Sequence, residues 1–256
     1  MKAILVIAVN TYREVVRDKI LYGILVFALL LIGVSLVLGG LSFTEQARIS
    51  ANFGFSGMQL SASILAIFIG STLVAREIEK QTILTLLARP LTRSQFLVGK
   101  FLGLGLVIAT VMAGLALVVG ALVASLGLKI GAPFFVALYG IGLEGLLLVA
   151  ITLFFGSFSR PVMTVIFASS MFLIGHWIGE LETLSRSKFV DETFRRVAPV
   201  VARLLPDLER FNWRSAPIYD VAIPASEIVN GTIYAFGWLV VVLTLTAIVF
   251  RRRDFV

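Results

Sequence analysis

The sequence predicts an all-α integral membrane protein with six transmembrane helices, and three observations lead there. Hydrophobic residues make up 59% of the 256-residue chain and charged residues only 14%, with a mean hydropathy of +1.00. Soluble domains run near half apolar and a quarter charged, so disorder, a coiled coil and a one-domain soluble enzyme are excluded. Six stretches stay uncharged or nearly so for the roughly 18 residues or more that mark a spanning helix. None alternates with the period of two expected of a membrane β-strand.

The first nineteen residues read as an interfacial helix. Leu5, Val9, Tyr12 and Val16 recur at helical spacing opposite Asn10, Arg13, Glu14 and Arg17, the pattern of a helix lying on the inner leaflet. A cleaved leader is not expected, because the apolar run Ala3 to Val9 is short and no small-x-small site follows. The expected spans are 20–41, 57–75, 101–128, 130–159, 161–179 and 231–250. The third and fourth exceed what a straight crossing needs, with Gly127, Lys129, Gly131 and Pro133 marking a tight turn between them.

Between the second and third spans, residues 76–100 form a charged connection. Ile83, Leu84, Leu86 and Leu87 make one side apolar, and Glu77, Gln81, Thr85 and Arg89 make a polar stripe at i+4 spacing, so a short amphipathic helix should continue past the second span. Pro90 stops it. Thr92 with Gln95 then matches a capping box, and Leu91 with Phe96 a hydrophobic staple, so a new helix starts at Arg93. The stiff elbow is suited to transmitting a push into two spans. Pattern alone serves equally well for a loop whose charges only set topology.

Residues 180–230 contain seven Lys/Arg and eight Asp/Glu. Val190, Phe194, Val197, Val201, Leu204 and Leu208 recur against Arg195, Arg196, Arg203 and Arg210, so this segment is expected as short amphipathic helices on the outer leaflet or capping the exit side of the bundle. Lys and Arg concentrate in the N-terminal segment, in 76–100, at Arg160 and at Arg251 to Arg253, whereas the opposite short connections carry Arg48 and Lys129. The positive-inside rule therefore places both termini in the cytoplasm of a cell (inner) membrane, and the long, near-neutral 180–230 segment outside. The net charge of +7 is accounted for by anionic lipid rather than nucleic acid. There are no cysteines, which removes disulfides, thiolate metal sites and cysteine nucleophiles.

Arg76-Glu77-Ile78-Glu79, Thr82, Leu86-Leu87, Pro90, Arg93 and Gly99-Lys100, followed by Leu205-Pro206-Asp207-Leu208, Phe211-Asn212 and Phe250-Arg251-Arg252-Arg253-Asp254-Phe255, are similar in order to the ABC-2-type permeases of ABC transporters. The chain most resembles the branch of the permease that supports nitrous oxide reductase maturation. The resemblance implies a transport subunit that pairs with a second permease subunit, identical or related, and with two separate ATPase subunits that bind ATP and Mg. It also implies that 76–100 is a coupling helix with the N-terminal helix packed beside it. Carried over, Glu77, Glu79, Thr82, Leu86, Pro90 and Arg93 are the expected docking residues for the ATPase. The chain has no phosphate loop of its own: at Gly99-Lys100 the first glycine is replaced by Ser94 and the hydroxyl by Phe101. No cofactor or metal is expected on it, the substrate is left open, and 180–230 is a candidate surface for an external accessory protein.

Glu144 lies mid-span, where a charge costs roughly 2.5–3.5 kcal/mol, so it should face the bundle interior, paired or neutral. It is the candidate for the translocation path, although Gly140, Gly142 and Gly145 around it also argue for simple helix packing. His176 with Glu180 has i, i+4 spacing but lacks the further ligands of a closed metal site. By depth, with Glu144 roughly 20 Å from the outer end of its span and His176 near the outer end of its own, the two are expected at separate sites, and His176 beside Trp177 as an interfacial anchor. Gly99-x-x-x-Gly103 and Gly175-x-x-x-Gly179 have the spacing of close helix contacts, weakly indicating dimerisation. Other functions fit less well: an ion-coupled carrier would rely on Glu144 but should show inverted repeats, and an intramembrane enzyme would need converging catalytic groups.

Overall fold

The computed structural model describes residues 2–41, 45–79, 92–185 and 191–252. The helices among them are α1 (Lys2–Val16), α2 (Lys19–Gly40), α3 (Gln46–Glu79), α4 (Arg93–Ser125), α5 (Ala132–Gly156), α6 (Pro161–Ser185), α7 (Glu192–Leu204), the short α8 (Ser215–Tyr219) and α9 (Ala225–Arg252), with one 3-10 turn at Glu209–Phe211. The described residues contain no strand. Six of the helices, α2 to α6 and α9, are long and apolar enough to cross a membrane. They run alternately between an end carrying Lys100 and an end carrying Gly127.

Local chemistry explains the starts. Asp18 caps α2 by accepting from the Ile20 N–H at 3.0 Å. Thr92 and Gln95 form the expected capping box on α4, each side chain accepting from the other's backbone N–H at 3.2 Å. Pro133 occupies the first turn of α5, where no N–H is needed. Asp191 caps α7, and its hydrogen bonds from Thr193 hold the carboxyl below the ordinary aspartate range.

α3 and α5 are the most deeply buried helices, surrounded by α2, α4, α6 and α9. Phe55, Met58, Leu65 and Ile69 of α3 and Ile141, Leu147, Leu148 and Leu153 of α5 are almost fully enclosed. α2, α6 and α9 turn much of their apolar surface outward, as lipid-facing helices do.

Several helices depart from the expected bounds. α3 begins at Gln46 rather than at Gly57, and α6 runs to Ser185, beyond Gly179. α9 starts six residues before Gly231, at Ala225. Polar residues such as Gln46, Arg48 and Asn52 do not stop a helix that packs against its neighbours; they end only the apolar run by which spans are recognised. Of the 76–100 connection, residues 80–91 lie outside the described residues, and with them the helix expected around Ile83 to Arg89 and the Leu91 staple.

α1 forms as expected but presents a different face. Ile7, Ala8, Thr11 and Val15 are buried against α4, whereas Leu5 and Val9 are exposed. Glycine spacing on α4 explains the choice. A Cβ at Gly99 would sit 2.7 Å from Ile7 Cβ, and one at Gly103 2.6 Å from Thr11 Cβ and 2.8 Å from the Ala8 carbonyl. This glycine pair serves an intramolecular contact.

The segment after α7 also departs from expectation. α7 ends at Leu204, and Leu208, which the pattern continued along an amphipathic helix, instead turns into the bundle with Phe211 and Trp213. Leu208 N–H donates to the Gly175 carbonyl at 3.0 Å, and its side chain fills the space left by that glycine. Trp213 packs over Gly140 and Gly231, stacks on Tyr139 at 6.5 Å, and donates through Nε1 to Glu227 at 3.1 Å. Residues 205–214 therefore form a strap across the Gly127 end, tying α5, α6 and α9 together.

Candidate functional site

A buried polar cluster lies where α3, α5 and α6 meet. Glu144, 1% exposed, comes from the middle of α5; Gln59 and Ser63, also buried, come from successive turns of α3; and His176 comes from α6. Glu144 Oε2 accepts from Gln59 Nε2 at 2.5 Å, and Oε1 from Ser63 Oγ at 3.3 Å. His176 Nε2 stands 3.6 Å from Glu144 Oε1 and 3.3 Å from Gln59 Nε2.

Hydrogen-bond accounting fixes the imidazole. Its Nδ1 faces the Phe172 carbonyl at 3.0 Å, a group that only accepts, so Nδ1 carries the hydrogen. With the ring neutral, Nε2 accepts from the second N–H of the Gln59 amide, and one glutamine bridges carboxyl and imidazole.

The strap joins this site from the Gly127 end. Arg214 donates to Ser56 Oγ on α3 at 2.8 Å and to Asn212 Oδ1 at 2.6 Å. Four separate chain segments therefore contribute polar groups to one spot inside an otherwise apolar bundle. A buried carboxyl in such a setting is held by partners from elsewhere in the chain, as an unpaired one could not be.

The structure corrects the placement of His176. It is neither separate from Glu144 nor an interfacial anchor, and Glu144, not Glu180, is its acidic neighbour; Trp177, by contrast, is 63% exposed. The depth argument failed because it counted from the Gly127 end. Counted from the α5–α6 hairpin, Glu144 lies twelve residues back from Gly156 and His176 fifteen residues on from Pro161. At 1.5 Å per residue these are heights of about 18 and 22 Å, nearly level. Gln59 and Ser63 were not singled out, although their i, i+4 spacing in the second apolar run was a readable signal.

Of the expected docking residues, Glu77 and Glu79 end α3 and Arg93 opens α4, so the three are brought to the Lys100 end of the bundle. Thr82, Leu86 and Pro90 lie outside the described residues. Beside Arg93's helix, Lys100 is 4% exposed, 3.8 Å from Glu14 of α1 and 5.7 Å from the centre of the Phe96 ring, which itself stacks on Phe250 of α9. The two glycines and this buried lysine together clamp α1 to the start of α4.

Residues 5–255 match the family described as ABC-2 family transporter protein. No curated protein matches the chain.

Proposed function

From the premise that the chain belongs to the ABC-2 family of transporter proteins, and is thus a membrane permease subunit of an ABC transporter, we propose that it is an export subunit driven through residues 76–100. Separate ATPase subunits dock there, on Glu77, Glu79, Thr82, Leu86, Pro90 and Arg93, and bind the ATP and Mg that this chain does not hold. A second permease subunit, identical or related, completes the path. In this reading both termini and residues 76–100 face the cytoplasm, and the strap faces outward, open to an accessory protein. Within the family we assign the chain to the nitrous oxide reductase maturation branch, which it resembles over the ordered set of motifs along nearly its whole length.

One observation carries the coupling reading. α3 is continuous from Gln46 to Glu79, so a single rod carries Glu77 and Glu79 at one end and Gln59 and Ser63 in the bundle interior. From Ser63 to Glu79 is about 24 Å of helix. A displacement of the docking end is therefore transmitted along α3 to the partners of Glu144, while Glu144 and His176 stay on the α5–α6 hairpin. Closure of the ATPases would shift Gln59 and Ser63 against that hairpin and open the polar centre towards the path. The clamp of α1 on α4 makes the other arm of the elbow equally stiff.

The test is co-purification of the full chain with its ATPase, in native membrane and mild detergent, followed by Glu77→Ala, Glu79→Ala and Arg93→Ala. We expect an ATPase to accompany the wild type and its recovery and stimulated hydrolysis to fall in the variants. Recovery of a robust, fully stimulated complex from the triple variant would remove the docking assignment.

A further inference from the structure

We propose that the cavity between α6, α7 and α9 is a seat for the headgroup of an anionic phospholipid. Its volume is about 250 Å³, and it is lined by Arg203, Asp207, Arg210, Tyr234, Trp238 and Ile178 among others. That is below the roughly 300–1,000 Å³ of pockets that enclose a drug-sized molecule, and suits a headgroup whose remainder lies outside.

The charges select an anion. Arg210 Nε donates to Asp207 Oδ2 at 3.1 Å and the guanidinium lies over the Tyr234 ring at 4.6 Å, which fixes its plane and leaves its terminal Nη nitrogens for a ligand. Arg203 has no carboxylate or hydrogen-bond partner among the described residues. Two arginines against one aspartate leave one positive charge, matching a single phosphodiester. Tyr234 Oη accepts from the Asp207 N–H at 2.8 Å, so its own O–H proton is free to donate as well. Guanidinium forks recognise phosphate oxygens in pairs, with near-planar geometry.

The walls select a lipid rather than a soluble phosphate. Ile178 and Trp238 belong to membrane-crossing helices, α6 and α9, and Tyr234 stands one turn inside the uncharged run of α9. The arginines come from α7 and the residues after it, where the chain has left the crossing helices. The cavity is therefore cationic on one side and continuous with apolar, outward-facing helix surface on the other, which is the profile of a phospholipid at the edge of the hydrocarbon layer.

The experiment is retention of lipid by the full-length protein, taken from nanodiscs of phosphatidylcholine doped with phosphatidylglycerol and followed by native mass spectrometry. The wild type is expected to keep one phosphatidylglycerol per chain in preference to phosphatidylcholine. Arg203→Gln should lower that retention about tenfold, the loss of one charge-assisted contact, while Arg196→Gln, which removes an ion-paired arginine from the same helix, should not. Equal retention of the two lipids by the wild type overturns the proposal whatever the variants do. So does an equal fall in both variants, which would mean diffuse surface charge, or displacement of the lipid by millimolar inorganic phosphate, which would mean a soluble ligand.

Discussion

His176 Nε2 lies 3.6 Å from Glu144 Oε1, and the Gln59 amide reaches both groups. This places an acid and a base, from adjacent antiparallel helices, in one buried centre whose third member sits on α3, the helix that runs on to Glu79. Because Gln59 is the bridge, any sliding of α3 must break or remake both of its contacts.

The pair should therefore be energetically coupled. In purified protein, Glu144→Gln keeps volume and hydrogen bonds and should cost less than about 1 kcal/mol, while Glu144→Ala strands Gln59 and Ser63 and should cost about 1–3 kcal/mol. A double-mutant cycle of Glu144→Gln with His176→Gln should show a coupling of about 0.5–1 kcal/mol in reversible unfolding. Strict additivity would mean that the two side chains do not interact.

The contact of α1 with α4 should be intolerant of bulk on one side and tolerant of polarity loss on the other. Gly103→Val drives a side chain into Thr11 and the Ala8 carbonyl, and should cost about 1–3 kcal/mol and raise the rate of proteolysis within residues 2–16. Thr11 Oγ1 is buried without a hydrogen-bond partner. Thr11→Val should accordingly leave stability unchanged or raise it by about 1 kcal/mol, read as a shift in melting temperature.

Trp213 is the keystone of the strap. It is 3% exposed, touches glycines of two crossing helices and hydrogen-bonds Glu227. Trp213→Ala should destabilise by about 3–5 kcal/mol, whereas Trp213→Phe should keep most of the stacking on Tyr139 and lose mainly the Nε1 contact. If both variants unfold like the wild type, the strap is an ornament on the bundle and does not hold α5 and α9 together.

Orientation can be read directly, since the chain has no cysteine and any introduced thiol is unique. In the proposed orientation, Ser159→Cys in the α5–α6 turn should react with an impermeant maleimide only after the membrane is opened, and Lys129→Cys in intact cells. The reverse pattern would invert the protein and, with it, the docking side.

How much of this was legible depends on what kind of information each element carries. Glu144 stood out because a charge inside a long apolar run is conspicuous, and the Thr92–Gln95 box because a cap is written within four residues. Gln59 and Ser63 did not stand out, since neutral polar side chains are commonplace at helix contacts in membranes. The strap was misjudged because its apolar residues share the helical spacing of α7 up to Leu204, and only the turn at Pro206 redirects Leu208 inward.

By itself the sequence determined the all-helical class, the six crossing segments and the capped restart of the chain at Thr92, because length of apolar run and capping chemistry are local properties. Tertiary structure alone decided which face of α1 is buried, which partner Gly99 and Gly103 accept, and that Glu144 and His176 meet. The reason is the solvent: a helix crossing lipid is apolar on every side, so its pattern does not distinguish the face turned to hydrocarbon from the face turned to another helix. Small residues, buried hydrogen bonds and relative height make that choice, and they act only once the helices are side by side.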